Sequence, residues 1–103
     1  MNTFEILEEL KSKLEETNWT VKSQYGTEKV HAIVDMYNGS YAALKNRFGP
    51  GYLLFPVYKD GTVNGFLYSI KGLSKESVKE EFKCCFDVVK NVYLKDRSTV
   101  LVL

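Results

Sequence analysis

The sequence predicts an α+β domain: a single, mostly antiparallel sheet of about five strands with two to three helices packed on it. Three observations carry this. Apolar residues recur at helical spacing near each end of the chain. Between those ends, runs of alternating apolar and polar residues are separated by Gly, Asn and Asp turn signals. The 103 residues, 45% hydrophobic and 26% charged, have the ordinary globular balance. Residues 1–103 therefore read as one domain in the order α-β-β-(α)-β-β-α-β.

Asn2 followed by Glu5 has the form of a helix cap. Phe4, Ile6, Leu7, Leu10 and Leu14 then mark one face, so a helix is expected over 3–16. Trp19 to Tyr25 alternates, with Trp19, Val21 and Tyr25 on one side. Glu28 to Met36 alternates again, with Val30, Ala32, Val34 and Met36 sharing a face, and a hairpin turning at Gly26-Thr27 would join the two strands. Residues 41–48 fit either a strand turned back at Asn38-Gly39 or a short helix. The helix is preferred, because Ser40 can cap it, Gly49 can end it and Pro50 stops it.

Tyr52–Tyr58 and Val63–Ile70 flank Asp60-Gly61, the strongest hairpin signal in the chain. Pro56 has no N–H to donate, so its strand should have one open side there. Ser74 caps an expected long helix over 75–94, whose stripe is Val78, Phe82, Cys85, Val89 and Val92. The run Val100-Leu101-Val102-Leu103 reads as a strand covered on both faces, with Val100 and Val102 buried.

Composition excludes several functions. The 14 basic and 13 acidic residues leave a net charge of +1, too little to steer the chain onto nucleic acid or acidic lipid. The charges are uneven: residues 1–18 hold five Glu against two Lys, and residues 19–73 hold six basic residues against three acids. No run reaches the roughly 20 apolar residues of a spanning helix, so no membrane is expected as a partner. The start of the chain lacks the basic and apolar regions of a signal peptide. The only cysteines, Cys84 and Cys85, are adjacent and cannot close an ordinary disulfide loop. A cytoplasmic setting is the expectation.

No catalytic or metal-binding constellation emerges, and no cofactor is implied. The one histidine, His31, shares strand parity with Asp35 at a separation of roughly 13 Å, too far for a base and its orienting partner. Cys84 and Cys85 lack the spacing and companions of a zinc site, and Cys85 falls on the apolar stripe. The paired carboxylates Glu8-Glu9, Glu15-Glu16 and Glu80-Glu81 fall on outward helix faces. Gly49-Pro50-Gly51 has neither phosphate-loop nor dinucleotide-binding context and reads as a turn.

Aromatic clustering is the feature above background. Tyr37, Tyr41, Phe48, Tyr52, Phe55, Tyr58, Phe66 and Tyr68, eight of the chain's 14 aromatics, lie within 32 residues, with Lys45, Arg47 and Lys59 interleaved. Strand packing alone favours such residues. Aromatics beside Arg also make contact hot spots between proteins. The expected function is a non-catalytic protein-binding module, a small inhibitor or immunity-type factor that occludes a partner protein. Tyr41, Lys45, Arg47, Tyr52, Tyr58 and Lys59 are its candidate contacts. The alternatives are a single-stranded nucleic-acid-binding domain using the aromatic and basic residues of 41–59, and a small enzyme whose site the sequence hides.

Overall fold

The computed structural model describes residues 12, 14, 15, 18–24, 26–58, 60, 62–66, 68–83 and 88–95, together with the backbone of 99–102. These form a small β-rich domain. Strands β1 (Thr20–Ser23) and β2 (Gly26–Lys29) make a two-stranded hairpin. Strands β3 (Ala32–Met36), β4 (Gly39–Lys45), β5 (Tyr52–Pro56), β6 (Tyr68–Ile70), β7 (Val89–Leu94) and β8 (Thr99–Val102) build a six-stranded sheet in the order β6-β5-β4-β3-β7-β8. Every pairing in it is antiparallel. One helix has both ends among the described residues, α1 (Lys75–Glu81). Ser12, Leu14 and Glu15, the described part of the expected helix over 3–16, are also helical; the rest of that helix lies outside the described residues, so the expected two to three helices are not all found among them.

Residues 41–48 are not a helix. Met36 pairs with Gly39, so the chain turns through Tyr37-Asn38 and runs back as β4, with Gly39 at φ +143°. Ser40 caps nothing and instead pairs with Asp35 across the hairpin. The helical propensity of Ala42-Ala43-Leu44 is a weak preference. It is overridden because both faces of β4 find apolar cover: Tyr41 and Ala43 on one side, Ala42 and Leu44 on the other.

The expected helix 75–94 is also corrected. Ser74 caps α1 as read, its hydroxyl accepting from the Ser77 amide at 3.1 Å. The helix ends at Glu81, and β7 follows from Val89. The β3–β7 register shifts between Asp35 and Met36, a bulge that puts Val89 and Val92 into one cluster despite their odd spacing. That three-residue spacing imitates a helical stripe. Cys84 and Cys85, and the expected burial of Cys85, lie outside the described residues.

The strand read over 28–36 is two pieces. The chain leaves β2 at Val30, whose amide donates to Trp19 O (2.8 Å), and joins the large sheet at His31, whose amide donates to Ala43 O (3.0 Å). Val30 packs on one face of the sheet while Ala32, Val34 and Met36 pack on the other. The first hairpin closes at Ser23 and Gly26, two residues ahead of the expected turn. The Asp60-Gly61 hairpin forms as β5 and β6 around a longer connection. Strand β6 stops opposite Leu54, so Pro56 has a regular ladder partner only in β4, at Tyr41. Strand β8 pairs with β7 at one end of the sheet order. The expected burial of Val100 and Val102 lies outside the described side chains.

The sheet is covered on both sides. Val78 of α1 and Phe82 at its C-cap join Val34, Met36, Leu54 and Val92 in one buried cluster. On the reverse face the β1–β2 hairpin brings Val21, with Val30 and Leu14, onto Ile33, Ala42 and Leu44. Each large side chain buried this way contributes about 1.5–3 kcal/mol against chain entropy. No helix among the described residues is long and apolar enough to cross a membrane.

Candidate functional site

The first hairpin covers only part of the sheet's reverse face. Between it and the β4–β5 end of the sheet lies a cleft of about 200 Å³. Its apolar lining comes from Leu44 on β4, Leu53 and Phe55 on β5, and Val63. Ser23, Gln24 and Glu28 bound it on the hairpin side, Asn64 and Gly65 on another, and Lys45, Arg47 and Phe48 on a third.

The loop after β4 is closed by its own hydrogen bonds. The Asn46 amide donates to Gly51 O at 3.0 Å, and the Asn46 side chain donates to Pro50 O at 3.4 Å. Asn46 Oδ1 accepts from the Phe48 amide at 3.0 Å, an Asx turn. Gly51 completes the loop at φ +89°, where its missing Cβ leaves room for the Ile70 carbonyl. This bonding holds Phe48 at the tip with 92% of its surface exposed. Arg47 beside it donates to the Glu28 carboxylate across the cleft, their side chains 57% and 18% exposed. An exposed pair of this kind contributes about 0–1 kcal/mol, and its main consequence is to orient the guanidinium.

The six residues expected from the sequence separate. Lys45 and Arg47 both line the cleft. Tyr41 is buried on the opposite face, in the α1 cluster, edge-on to Tyr68 at 5.8 Å. Burial, and then the neighbouring Tyr68, raise its pKa, while a hydrogen bond with Asn38 opposes the rise. Tyr41 has no surface for a partner. Tyr52 is half-buried on that same opposite face, its ring 5.4 Å from the His31 ring. Tyr58 is exposed, and its hydroxyl accepts from Asn64 Nδ2 at 3.1 Å, which ties it to the cleft rim. Lys59 lies outside the described residues.

Three contributors were not among the candidate contacts, although Phe48 and Phe66 belong to the aromatic cluster. Phe48 is the most exposed large apolar residue described, and its place between Arg47 and Gly49-Pro50-Gly51 marked a loop tip. Phe66 is also exposed and leans edge-on against Phe55, centroids 6.0 Å apart. Glu28 had no local signal, because it meets Arg47 only when the first hairpin folds over the sheet.

A second polar group lies on the same sheet face, away from the cleft. Asp35 is 4% exposed and Ser40 6%, and they pair across β3 and β4. Asp35 Oδ1 and Ser40 Oγ have no hydrogen-bond partner among the described residues. Desolvation raises the pKa of Asp35, opposed by the charge of Lys90 and by a hydrogen bond with the Asn91 side chain. No family model matches the chain, and no curated protein or solved structure shows significant similarity to it.

Proposed function

We propose that this chain is a non-catalytic protein-binding module that meets its partner through Arg47, Phe48 and the adjoining cleft. The observation that carries the reading is Phe48: a large apolar ring, fully solvated, on a loop whose backbone is fixed by Asn46 and Gly51. A solvated ring on a loop without internal bonds would lose its freedom on binding. One held in place loses less. Arg and aromatic side chains in such positions dominate binding energy when a partner buries them. The module would act by occlusion, as a small inhibitor or immunity-type factor covering a site on the partner. The adjacent Cys84-Cys85 pair, unsuited to an ordinary disulfide, supports a reducing, cytoplasmic setting for that work.

The test is site-specific photo-crosslinking in cells that make the protein, with a benzophenone side chain in place of Phe48 and, as control, in place of the exposed Lys79 on α1. Cross-links to a defined protein from position 48 and not from 79 support the reading. Equal labelling from both positions contradicts it. Cross-links to nucleic acid from position 48 would replace it with the stacking alternative.

A further inference from the structure

We propose that Asn64-Gly65, on the rim of the cleft, is a self-modifying site: in the folded protein Asn64 converts without an enzyme to aspartate and isoaspartate. The chemistry does not depend on what the cleft binds. The carboxamide of an asparagine is open to attack by the backbone nitrogen of the next residue. Glycine favours this attack most, because it has no Cβ to obstruct the closing ring and the freest backbone. The chain has two such steps, Asn38-Gly39 and Asn64-Gly65, and the structure separates them.

At Asn38-Gly39 the nucleophile is held. Gly39 opens β4 opposite Met36, at φ +143°, in a hairpin whose strands lie in the middle of the sheet. The Asn38 side chain is bonded to Tyr41, which is buried. Asn64-Gly65, by contrast, belongs to no strand, and both residues are exposed. The Gly65 amide makes no hydrogen bond among the described residues, so no ladder has to open before it gives up its proton. Space is available as well: a Cβ built on Gly65 would meet nothing within 4 Å. The Asn64 carboxamide is bonded through its nitrogen, Nδ2 donating to the exposed Tyr58 hydroxyl at 3.1 Å, and that nitrogen is the one that departs.

The step balances with water alone. Gly65 N loses its proton to solvent and bonds to Asn64 Cγ. The Cγ–Nδ2 bond breaks, and the amide nitrogen leaves as ammonia with a proton from solvent. The succinimide so formed takes up one water. Opening at Cγ gives aspartate. Opening at the main-chain carbonyl gives isoaspartate, whose backbone runs through the former side chain and is one carbon longer. Either product sets a carboxylate on the cleft rim and adds one negative charge to a chain of net charge +1. Isoaspartate also shifts the chain beside Val63, whose side chain lines the cleft and whose amide donates to Lys22 O at 3.2 Å.

For the test, the full chain is incubated in mildly alkaline buffer made with heavy-oxygen water, digested in ordinary water and mapped by mass spectrometry. A synthetic peptide of residues 60–70 gives the rate without the fold. Residue 64 should gain the mass of deamidation with one heavy oxygen, mainly as isoaspartate. Its rate should lie within about tenfold of the peptide's and exceed that at residue 38 by about tenfold or more. Gly65→Ala, whose added Cβ enters open space, should keep the parent's melt and slow the conversion by about tenfold or more. A folded residue 64 that converts more slowly than this range means that the loop blocks ring closure, and overturns the proposal. Equal rates at residues 64 and 38 overturn the part given to the unbonded glycine amide. Conversion of the Gly65→Ala protein at the parent rate overturns the succinimide route.

Discussion

Replacing Gly51 by Ala perturbs both the sheet and the loop that presents Phe48. Two penalties come from the structure. Gly51 sits at φ +89°, a region costing about 1–2 kcal/mol for a residue with a Cβ. A Cβ built there also intrudes on the Ile70 carbonyl oxygen and lies 3.3 Å from Ile70 C and Lys71 Cα. These are backbone atoms at the end of β6 and cannot swing aside, so overpacking adds about 1–3 kcal/mol. The stiffer unfolded chain returns about 0.4–1 kcal/mol. The net loss is about 1–5 kcal/mol, centred near about 3, a large part of the roughly 5–15 kcal/mol of a typical domain. At that centre a thermal melt falls by roughly 12–24 °C, at about 4–8 °C per kcal/mol for a domain near this size. Gly49→Ala is the control. Its Cβ meets only the Asn46 side chain, at 3.7 Å, so its melt should stay within about 0.5 kcal/mol of the parent. Urea unfolding monitored by circular dichroism measures both variants. A Gly51→Ala protein as stable as Gly49→Ala would refute the account of how the loop is held.

Other substitutions test the packing, the ion pair and the buried carboxylate. Phe82→Ala removes a ring that is 3% exposed and packs 5.5 Å from Tyr68, and should cost about 3–5 kcal/mol in chemical unfolding. Arg47→Ala should cost under about 1 kcal/mol, because its partnership with Glu28 is exposed, yet weaken partner binding by about 2 kcal/mol or more by calorimetry. Asp35 has a native pKa above its unfolded value, so the folded state holds more protons over that interval and stability falls as pH rises from about 4 through the native pKa. Asp35→Asn should remove this fall and so gain stability relative to the parent as pH rises, since the amide keeps hydrogen-bonding capacity beside Ser40 without the buried charge. Unfolding series across pH on both proteins measure it, and parallel pH profiles would contradict the assignment.

The parts of the fold legible in the sequence were those with local causes. Ser74 capped a helix where its spacing from Ser77 allowed, and the runs around Asp60-Gly61 formed an antiparallel pair. The misreadings have two physical origins: the sheet is buried on both faces, and its strands are irregular at β7 and at Val30. Strand β4 lost its alternation because Ala42 and Leu44 are as buried as Tyr41 and Ala43, so capping residues outweighed periodicity. Strand β7 gained a false helical period from the bulge opposite Asp35 and Met36. The site divides in the same way. Arg47 and Lys45 were found from their place beside aromatics. The Glu28 contact, and the division of Tyr41 and Tyr52 from the cleft, depend on which strands pair and which face the first hairpin covers. Neither is written locally.

The central claim is that Phe48 and the cleft beside it make the contact. Its most direct measurement is the affinity of the protein cross-linked from position 48 for the parent chain and for Phe48→Ser, with both melts recorded. The ring is almost wholly solvated, so the account predicts melting unchanged within about 0.5 kcal/mol and affinity reduced by tenfold or more, about 1.4 kcal/mol per factor of ten. Equal affinity for the two proteins, with both fully folded, would contradict it.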